Sequence, residues 1–220
     1  MVTIVIPIYN NWDITHSLLL DIYKCCPPDT KIIVVDDCST DKHVSSGLLW
    51  WKTTILRDRL TVYVNEINAG FLRSCNFGVS KADDGIVILM NNDVRIMDKD
   101  LVAKVRSALR TNSLTLVGAR LLDKDTGWNT FEGVTYPYLE GWFLAFHKED
   151  WNMLGGFDIR YIPFDFEDLD LSTKFLRSGG ELVPVELDVI HLGGQSIKFS
   201  PEREEQTKKN KEKFRLKWLS

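Results

Sequence analysis

The sequence contains no apolar run of the roughly 18–20 residues that a helix needs to span a bilayer. It also lacks a basic N-terminal region followed by a long apolar stretch, so we expect no secretory signal. An excess of basic residues is missing as well, because 27 Lys and Arg stand against 31 Asp and Glu, a net charge of −4. Proteins that neutralise nucleic-acid phosphates are usually basic, and this balance therefore disfavours nucleic-acid binding.

Paired, regularly spaced cysteines are absent too. The four cysteines are Cys25, Cys26, Cys38 and Cys75, and none of them belongs to a C-x-x-C motif. Because a structural zinc site needs spaced ligands, we predict four free thiols in a reducing compartment, and hence a cytoplasmic protein.

Glycine-rich phosphate loops are the third absence. Neither G-x-G-x-x-G nor G-x-x-x-x-G-K-[ST] follows any of the apolar runs. This argues against a dinucleotide-dependent dehydrogenase and against a P-loop enzyme.

The composition that remains is that of an ordinary globular protein. Hydrophobic residues make up 44% and charged residues 26% of the 220 positions, enough to build a sizeable core. The sequence has no internal repeat and no low-complexity linker. We therefore predict one compact domain over residues 1–200, with halves at 1–120 and 121–200, followed by a charged amphipathic tail at 201–220.

Short apolar runs alternate with helical patterns along the chain. Val- and Ile-rich runs are typical of strands buried on both faces, and the alternation predicts βαβ units. The expected strands are Val2–Ile8, Lys31–Asp36, Leu60–Asn65, Ile86–Asn91, Thr115–Ala119 and Glu181–Val189, with an extended segment at Glu140–His147. The expected helices are Ile14–Lys24 with Asp13 as its N-cap, a segment capped by Ser39–Asp41, then Gly70–Lys81, Lys99–Arg110 and Phe166–Ser178. The fold class is therefore α/β, with a mostly parallel, Rossmann-like central sheet flanked by helices.

Polar and acidic groups follow each of the first four apolar runs. They are Asn10, then Asp36 and Asp37, then Asn65–Gly70, then Asn91–Asp93. In an open parallel sheet the carboxyl ends of the strands meet at one edge, where ligands bind, so we expect these groups to converge. A divalent cation with oxygen ligands can bridge such an acidic edge to an anionic nucleotide.

Five motifs in this order resemble glycosyltransferase family 2. They read VTIVIPIYN, IIVVDDCSTD, NEINAGFLRSCNFG, ILMNNDV and GGFDIRYIPFDFEDLDLSTKFLRSGG, and the resemblance runs from Val2 to Ser196. It implies the GT-A fold, a nucleotide-sugar donor, a divalent metal (Mn²⁺ or Mg²⁺) and inversion at the sugar carbon. It also implies that 1–120 is the nucleotide-binding half and that 121–200 carries the acceptor site and the catalytic base.

The resemblance implies a nucleotide site in the first half of the chain. Its expected members are Pro7, Tyr9, Asn10, Asp37, Asn68, Gly70, Arg73 and Asn92. Asp37 matches the acid that accepts a hydrogen bond from the base, usually uracil or thymine, and a carboxylate there rejects a base without that donor. A helix-terminal or turn role remains the alternative for Asp37 and Asn10, and Arg73 either reaches a phosphate or pairs with an acid.

The metal ligands implied by the resemblance are Asp93 and His191. Asn91-Asn92-Asp93 stands where the family has its D-x-D motif, so two carboxylates are replaced by amides and weaker cation binding is expected. A plain turn is the alternative for Asp93. A buried core histidine is the alternative for His191.

The resemblance also assigns the catalytic groups. Asp168 matches the general base and Glu167 a group that orients the acceptor. A positioned carboxylate that takes the acceptor hydroxyl's proton contributes about 10²–10⁴ in rate. The alternative is that Asp165 caps a helix and Asp168 only opens it.

Acceptor or sugar contacts are expected from Trp142 and Asp158, with core packing and turn capping as their alternatives. The tail holds seven Lys or Arg and four acidic residues over 202–217, typical of a solvated helix or of a contact with an anionic membrane surface.

The predicted enzyme is a hexosyl- or deoxyhexosyltransferase of polysaccharide biosynthesis that acts on a glycan, lipid-linked or protein acceptor, in the cytoplasm or at its membrane face. A catalytically inactive nucleotide- or glycan-binding module and a sugar-phosphate nucleotidyltransferase are the alternatives.

Overall fold

The computed structural model describes residues 1–109, 113–193 and 200–219. The strands are β1 (Val2–Ile8), β2 (Lys31–Asp36), β3 (Leu60–Val64), β4 (Ile86–Met90), β5 (Val94–Ile96), β6 (Thr115–Gly118), β7 (Leu121–Leu122), β8 (Thr130–Phe131), β9 (Val134–Thr135), β10 (Tyr138–Leu139), β11 (Phe143–His147), β12 (Glu181–Pro184) and β13 (Val189–His191). The helices are α1 (Trp12–Cys25), α2 (Lys42–Trp50), α3 (Phe71–Lys81), α4 (Leu101–Ala108), α5 (Lys148–Leu154), α6 (Glu167–Arg177) and α7 (Pro201–Trp218).

The main sheet has the strand order β12-β6-β11-β4-β1-β2-β3. The pairs β1–β2, β1–β4, β2–β3 and β12–β6 are parallel, whereas β11 runs antiparallel to both of its neighbours. This confirms the predicted α/β fold with a mostly parallel central sheet. It also places the chain segments that follow β1, β2 and β4 side by side.

Both faces of the sheet are buried, because each carries its own hydrophobic core. Ile4 and Ile6 of β1 point into a core shared with α1, α2 and α4, while Val5 between them points into a second core shared with α3, α5 and α6. This explains why the strands read as continuous apolar runs and not as an alternation of apolar and polar residues.

Some predicted boundaries are wrong. Helix α1 begins at Trp12, and its N-cap is Asn11 in the left-handed conformation (φ 53°), so Asp13 lies inside the first turn, where the helix dipole favours an acid. Helix α4 begins at Leu101, and Arg110, the last residue of that predicted helix, lies outside the described residues.

The predicted strand at 181–189 is two strands. Strand β12 extends the main sheet beside β6, and the chain then turns so that β13 pairs antiparallel with β5. The predicted extended segment at 140–147 is likewise regular only from Phe143 onward.

Helix α7 packs onto the domain. Phe214 is fully buried in the second core and stacks on Phe131 with ring centroids 5.0 Å apart. Asn210 is also fully buried, and its Nδ2 donates to the carbonyl oxygens of Tyr161, Phe164 and Asp165 at 2.8, 2.7 and 3.0 Å. The helix therefore fixes the loop that precedes α6.

Replacing Asn210 tests this attachment. Asn210→Ala leaves buried carbonyl groups without their donor, and we expect the free energy of unfolding to fall by about 1–3 kcal/mol. The matched control is Lys209→Ala on the same helix, which removes only an exposed pair with Glu205 and is expected to cost less than about 1 kcal/mol. Urea unfolding measures both variants, and equal stabilities would contradict the role given to Asn210.

In the part of the chain that the structure describes, no helix has both the length and the apolar character needed to cross a bilayer.

Candidate active site

A cleft of about 440 Å³ opens at the carboxyl ends of β1, β2 and β4. It gathers residues from the ends of these strands, from the start of α3, from the loop before α6 and from α7. The lining residues are Pro7, Ile8, Tyr9, Asp37, Asn68, Gly70, Phe71, Ser74, Asn91, Asn92, Asp93, Pro163, Phe164, Asp165, Glu167, His191 and Arg203. The predicted convergence of polar groups at this edge is therefore observed.

Asp37 holds the loop on one side of the cleft. Its Oδ1 accepts from Asn65 Nδ2 at 2.7 Å and from the backbone N–H of Ala69 at 2.8 Å, and its Oδ2 accepts from the N–H of Gly70 at 2.8 Å. Gly70 has φ 87°, a left-handed conformation that glycine adopts without strain. The carboxylate therefore orders the start of α3, and one oxygen keeps room for a further donor.

Tyr9 lines the cleft, whereas its neighbour Asn10 has a structural role outside it. Tyr9 is 41% exposed and lines the cleft. Asn10 lies outside the cleft lining, and its Oδ1 accepts from the N–H groups of Thr40 and Asp41 at 2.9 and 3.0 Å. Asn10 thus ties the loop after β1 to the start of α2, the capping role weighed as its alternative.

Asp93 and His191 are brought together by the β5–β13 pair. In this register His191 stands opposite Val94, and Leu192 N–H donates to the Asp93 carbonyl at 2.9 Å. Asp93 is 6% exposed, and its Oδ1 lies 3.3 Å from His191 Nε2.

These atoms fit a divalent cation. Asp93 Oδ1 is buried and receives no hydrogen bond, and Asn91 Oδ1 beside it on the cleft wall is in the same state. Buried oxygens without donors are rare in proteins unless a water molecule or an ion binds to them. Within residues 1–109, 113–193 and 200–219, no group of three or more His, Cys, Asp or Glu side chains surrounds a possible ion. Asp93 and His191 would hold the ion, with substrate phosphates and water as the other ligands, the usual arrangement for Mg²⁺.

Trp142 packs against the back of this pair. Its ring stacks on His191 with centroids 4.9 Å apart and an interplanar angle of 13°, and its Nε1 donates to Glu140 Oε2 at 2.8 Å. The residue expected to stack on a sugar therefore orients His191, and it does not line the cleft.

Glu167 and Asp168 sit at the start of α6, where two cavities meet. Glu167 Oε2 is buried without a hydrogen bond at the cleft wall. Asp168 points the other way, its Oδ2 accepting from Gly141 N–H at 3.0 Å and its Oδ1 from Leu169 N–H at 2.8 Å.

The surroundings of the two acids push their pKa values apart. Burial, and then the charge of Asp168, raises the pKa of Glu167 to about 8. Burial also raises the pKa of Asp168, but the N–H donors of Gly141 and Leu169 oppose it and hold that pKa at about 6. Asp168 therefore ionises at a lower pH than Glu167, so Asp168 is the one of the two acids that can accept a proton while Glu167 still holds its own. Such a split is typical of paired acids with different catalytic roles.

Helix α7 positions the acids through Asp165. Asp165 and Phe166 both adopt left-handed backbone conformations, with φ of 68° and 81°. Thr207 Oγ1 donates to Asp165 Oδ2 at 2.6 Å, and Arg203 Nη2 donates to Oδ1 at 2.9 Å. The side chain of Asp165 therefore faces α7 and does not cap α6, so the helix-capping alternative is wrong for this residue.

A second pocket of about 320 Å³ lies on the Asp168 side of α6. Its lining residues are Trp128, Asn129, Tyr138, Asp165, Phe166, Glu167, Asp168, Leu169, Arg203, Glu204 and Thr207. Glu167 also lines the first cleft, so the acid pair stands between the two cavities.

Arg73 and Asp158 lie outside both cavities. Arg73 Nη1 donates to the Ala69 carbonyl at 3.2 Å from an exposed position. Asp158 caps the turn Ile159–Tyr161 and pairs with Arg160 and Lys217, and the hydrogen bonds from these two side chains hold its pKa well below the ordinary value. Their observed roles are structural pairing and capping.

Sequence reasoning gave no site role to the lining residues Phe164, Asp165 and Arg203. The buried, donor-free Oδ1 of Asn91 is visible only in three dimensions. Arg203 was missed because the charged tail gives no local signal that its helix returns to the cleft.

Comparison with known proteins agrees with this geometry. The family model described as Glycosyl transferase family 2 matches residues 3–162. No curated protein sequence matches the chain.

Solved structures resemble the chain in fold. The mannosyltransferase PcManGT from Pyrobaculum calidifontis, in complex with GDP-Man and Mn²⁺, has a TM-score of 0.70 at 24% identity over 84% of this chain and 54% of its own. GalNAc-T7 with UDP, GalNAc and Mn²⁺ has a TM-score of 0.71 at 16% identity over 87% of this chain and 43% of its own. S. aureus TarS 1-349 in complex with UDP-GlcNAc has a TM-score of 0.58 at 19% identity over 79% of this chain and 52% of its own. The predicted GT-A fold is thus confirmed, and the chain spans about half the length of these structures.

Proposed function

The chain belongs to glycosyl transferase family 2, and on that premise we propose that it is a metal-dependent inverting glycosyltransferase. The donor is a nucleotide-diphospho-sugar of UDP or dTDP type, and the acceptor is a hydroxyl of a glycan, lipid-linked or protein-linked molecule. One observation carries the proposal: a single cleft holds the donor-free Asp93 oxygen facing His191 and, at another part of its wall, the buried acid Glu167.

In this proposal the nucleotide occupies the cleft beside Tyr9, Asn68 and Gly70. Asp37 Oδ2 accepts from Gly70 N–H at 2.8 Å and, in this proposal, also accepts a hydrogen bond from the base. Asn92 is held by Thr15, whose Oγ1 accepts from its Nδ2 at 3.0 Å. Pro7 forms the wall beside Tyr9.

Asp93 and His191 would hold the divalent metal, whose positive charge would stabilise the departing diphosphate. Asp168 takes the proton of the acceptor hydroxyl as that oxygen attacks the sugar carbon from the face opposite the diphosphate. Attack from the opposite face inverts the configuration of that carbon. Glu167, protonated near neutral pH, donates a hydrogen bond to orient the substrates.

Release of nucleoside diphosphate tests this function. The protein is incubated with Mn²⁺, a panel of UDP-, dTDP- and GDP-sugars, and a mixture of simple glycosides as acceptors. We expect metal-dependent release from at least one donor, and a product whose linkage is inverted relative to the donor. Nucleotide binding without release from any donor would favour a catalytically inactive binding module instead.

The split pKa values predict a bell-shaped pH profile. Asp168 must be ionised, so kcat/KM should fall about tenfold per pH unit below about 6, and Glu167 must stay protonated, so it should fall again above about 8. Glu167→Gln cannot ionise and should therefore lose the alkaline fall but keep the acidic one. Initial rates from pH 4.5 to 9.5 in both proteins measure this, and an unchanged alkaline limb in the variant would contradict the role of Glu167.

The two alternative functions, a sugar-phosphate nucleotidyltransferase and a catalytically inactive binding module, have weaker support. A sugar-phosphate nucleotidyltransferase usually has a glycine-rich loop after the first strand, and PIYNNWD stands there instead. An inactive module has its support in Asn91 and Asn92, which replace carboxylates, but it gives no reason for a buried acid pair with separated pKa values.

We also propose that the protein works in the cytoplasm, where its four thiols, all unpaired in the structure, stay reduced. Contact with an anionic membrane through α7 would be electrostatic, because Phe214 faces the core while Lys208 and Lys209 are exposed. Polysaccharide biosynthesis is the process that such a transferase would serve.

A further inference from the structure

Residues 140–142 form a bridging segment that leads into β11 and is tied to two parts of the site. The carbonyl of Trp142 accepts from Asn91 N–H at 2.9 Å, directly after the end of β4. On the other side, Gly141 N–H donates to Asp168 Oδ2 at 3.0 Å. The bridging segment therefore joins the loop that carries the metal site to the start of α6.

The indole of Trp142 sets the orientation of His191. The two rings are nearly parallel, at 13°, and their centroids lie 4.9 Å apart, within the range of favourable aromatic stacking. His191 is the last residue of β13, a strand of three residues, and its ring can rotate about the side-chain bonds, so packing must select one orientation. With one face on the indole, the imidazole keeps Nε2 3.3 Å from Asp93 Oδ1.

Glu140 in turn fixes the indole. Its Oε2 accepts from Trp142 Nε1 at 2.8 Å, and Arg120 Nη1 donates to its Oε1 at 3.3 Å. The backbone N–H of Glu140 also donates to the Arg120 carbonyl at 3.0 Å. The indole is thus held at its edge by a carboxylate and presents its face to the imidazole without any bound ligand.

Gly141 brings the bridging segment close to the proton acceptor. A Cβ atom added at Gly141 would lie 3.2 Å from Asp168 Cβ, closer than ordinary van der Waals contact, and 3.6 Å from Oδ2. The backbone of Gly141 lies outside the left-handed region, so the close approach and not the backbone conformation calls for glycine. The contact between this N–H and Asp168 therefore depends on residue 141 having no side chain.

We propose that the bridging segment positions the metal ligand and the base as one unit, with Trp142 acting through His191 and Gly141 acting through Asp168. The inference rests on the proposed function. Groups that orient a metal ligand are worth about 10–100-fold in metal affinity, and a 1 Å misplacement of a catalytic group can cost about 10²-fold in rate. The two positioning residues should therefore affect different measurements, Trp142 the metal-dependent binding and Gly141 the rate.

Calorimetric titration with UDP, dTDP and GDP, each with and without Mn²⁺, tests Trp142. We expect Trp142→Ala to weaken Mn²⁺-dependent nucleotide binding by at least about tenfold, and Trp142→Phe, which keeps an aromatic face, to weaken it by less. Saturating Mn²⁺ should return the kcat of Trp142→Ala to within about threefold of the native value. The matched control is Trp50→Ala, because Trp50 is 49% exposed on α2, belongs to neither cavity and should leave the metal dependence unchanged.

Gly141→Ala should show the opposite pattern. The added methyl group displaces Asp168, so kcat should fall by at least about tenfold while Mn²⁺-dependent nucleotide binding stays within about twofold. The variants at positions 141 and 142 therefore control for each other. Unchanged kcat in Gly141→Ala, or loss of both properties in both variants, would overturn the proposal.

The stacking itself can be measured by proton NMR without metal or substrate. In the metal-free protein the ring current of the indole should shift the His191 ring protons upfield of those of the exposed His43, and Trp142→Ala should remove that shift. The His191 signals are assigned by their loss in His191→Asn. Unshifted His191 protons in the native protein, or unchanged metal-dependent binding in Trp142→Ala, would overturn the role of Trp142.

Failure of the native protein to bind any of the three nucleotides with Mn²⁺ would instead contradict the proposed function. The NMR shift would still be present in that case, so the two failures are distinguishable.

Discussion

Asp168→Asn is expected to lower kcat by at least about 10²-fold while leaving nucleotide binding within about twofold. The amide keeps the size of the carboxylate but cannot take a proton from the acceptor, and its one oxygen can accept from only one of the two N–H groups, of Gly141 and Leu169, that Asp168 accepts from. Because Asp168 lines the second pocket and not the cleft, its loss should leave the nucleotide contacts unchanged. Single-turnover transfer and calorimetric nucleotide binding measure the two effects separately.

Glu167→Gln is the matched comparison for that variant. Glu167 is protonated near neutral pH, so glutamine preserves its hydrogen-bonding form, and the loss of rate at pH 7 should be much smaller than for Asp168→Asn. If Glu167→Gln instead loses the larger share of activity, the base is Glu167 and the assignment of Asp168 is wrong.

Asp93→Ala is expected to weaken Mn²⁺-dependent nucleotide binding by at least about tenfold. Even groups that only support a metal ligand cost about 10–100-fold in metal affinity when they are removed, and Asp93 is proposed to touch the ion itself. His191→Ala should act in the same direction. Calorimetry with and without Mn²⁺ gives the metal-dependent part of the affinity.

Asp100→Ala is the control for Asp93. Asp100 is exposed, lies at the start of α4, and its side chain makes no capping hydrogen bond to that helix. Its loss should leave metal-dependent binding unchanged. Unaltered metal dependence in Asp93→Ala would remove Asp93 from the metal site.

The sequence was most informative about the polar residues that directly follow the parallel strands. Parallel strands place their carboxyl ends together, so Asp37 and Asp93 could be predicted to share an edge although 56 positions separate them. The apolar runs gave β1, β2 and β4 nearly to the residue, because strands buried on both faces leave a continuous signal. The motif resemblance to the family is confirmed by the family match.

Sequence patterns could not give the roles that depend on pairing across long distances. The sequence predicts that Trp142 contacts a sugar, because it is an aromatic residue near motifs of the site. Its stacking on His191 instead follows from the β5–β13 pair, which no local pattern predicts. The sequence predicts that Asp158 contacts the acceptor. In the structure Lys217, 59 residues later in the chain, donates to the Asp158 carboxylate and neutralises its charge. Asn10 likewise finds its partners at the start of α2.

The tail illustrates the same limit. Its charge pattern predicts a solvated amphipathic helix, and only the buried positions of Asn210 and Phe214 reveal that it holds the loop before the acid pair. Two buried residues in an 18-residue helix are too few to stand out in the sequence.

Calorimetric titration of the protein with UDP, dTDP and GDP, each with and without Mn²⁺, tests whether the cleft is a metal-dependent nucleotide site. We predict that at least one nucleoside diphosphate binds tightly only when Mn²⁺ is present, and that Asp93→Ala abolishes the difference. Binding that is equally tight without metal, or no binding of any of the three, would contradict a metal-dependent nucleotide-sugar site in this cleft.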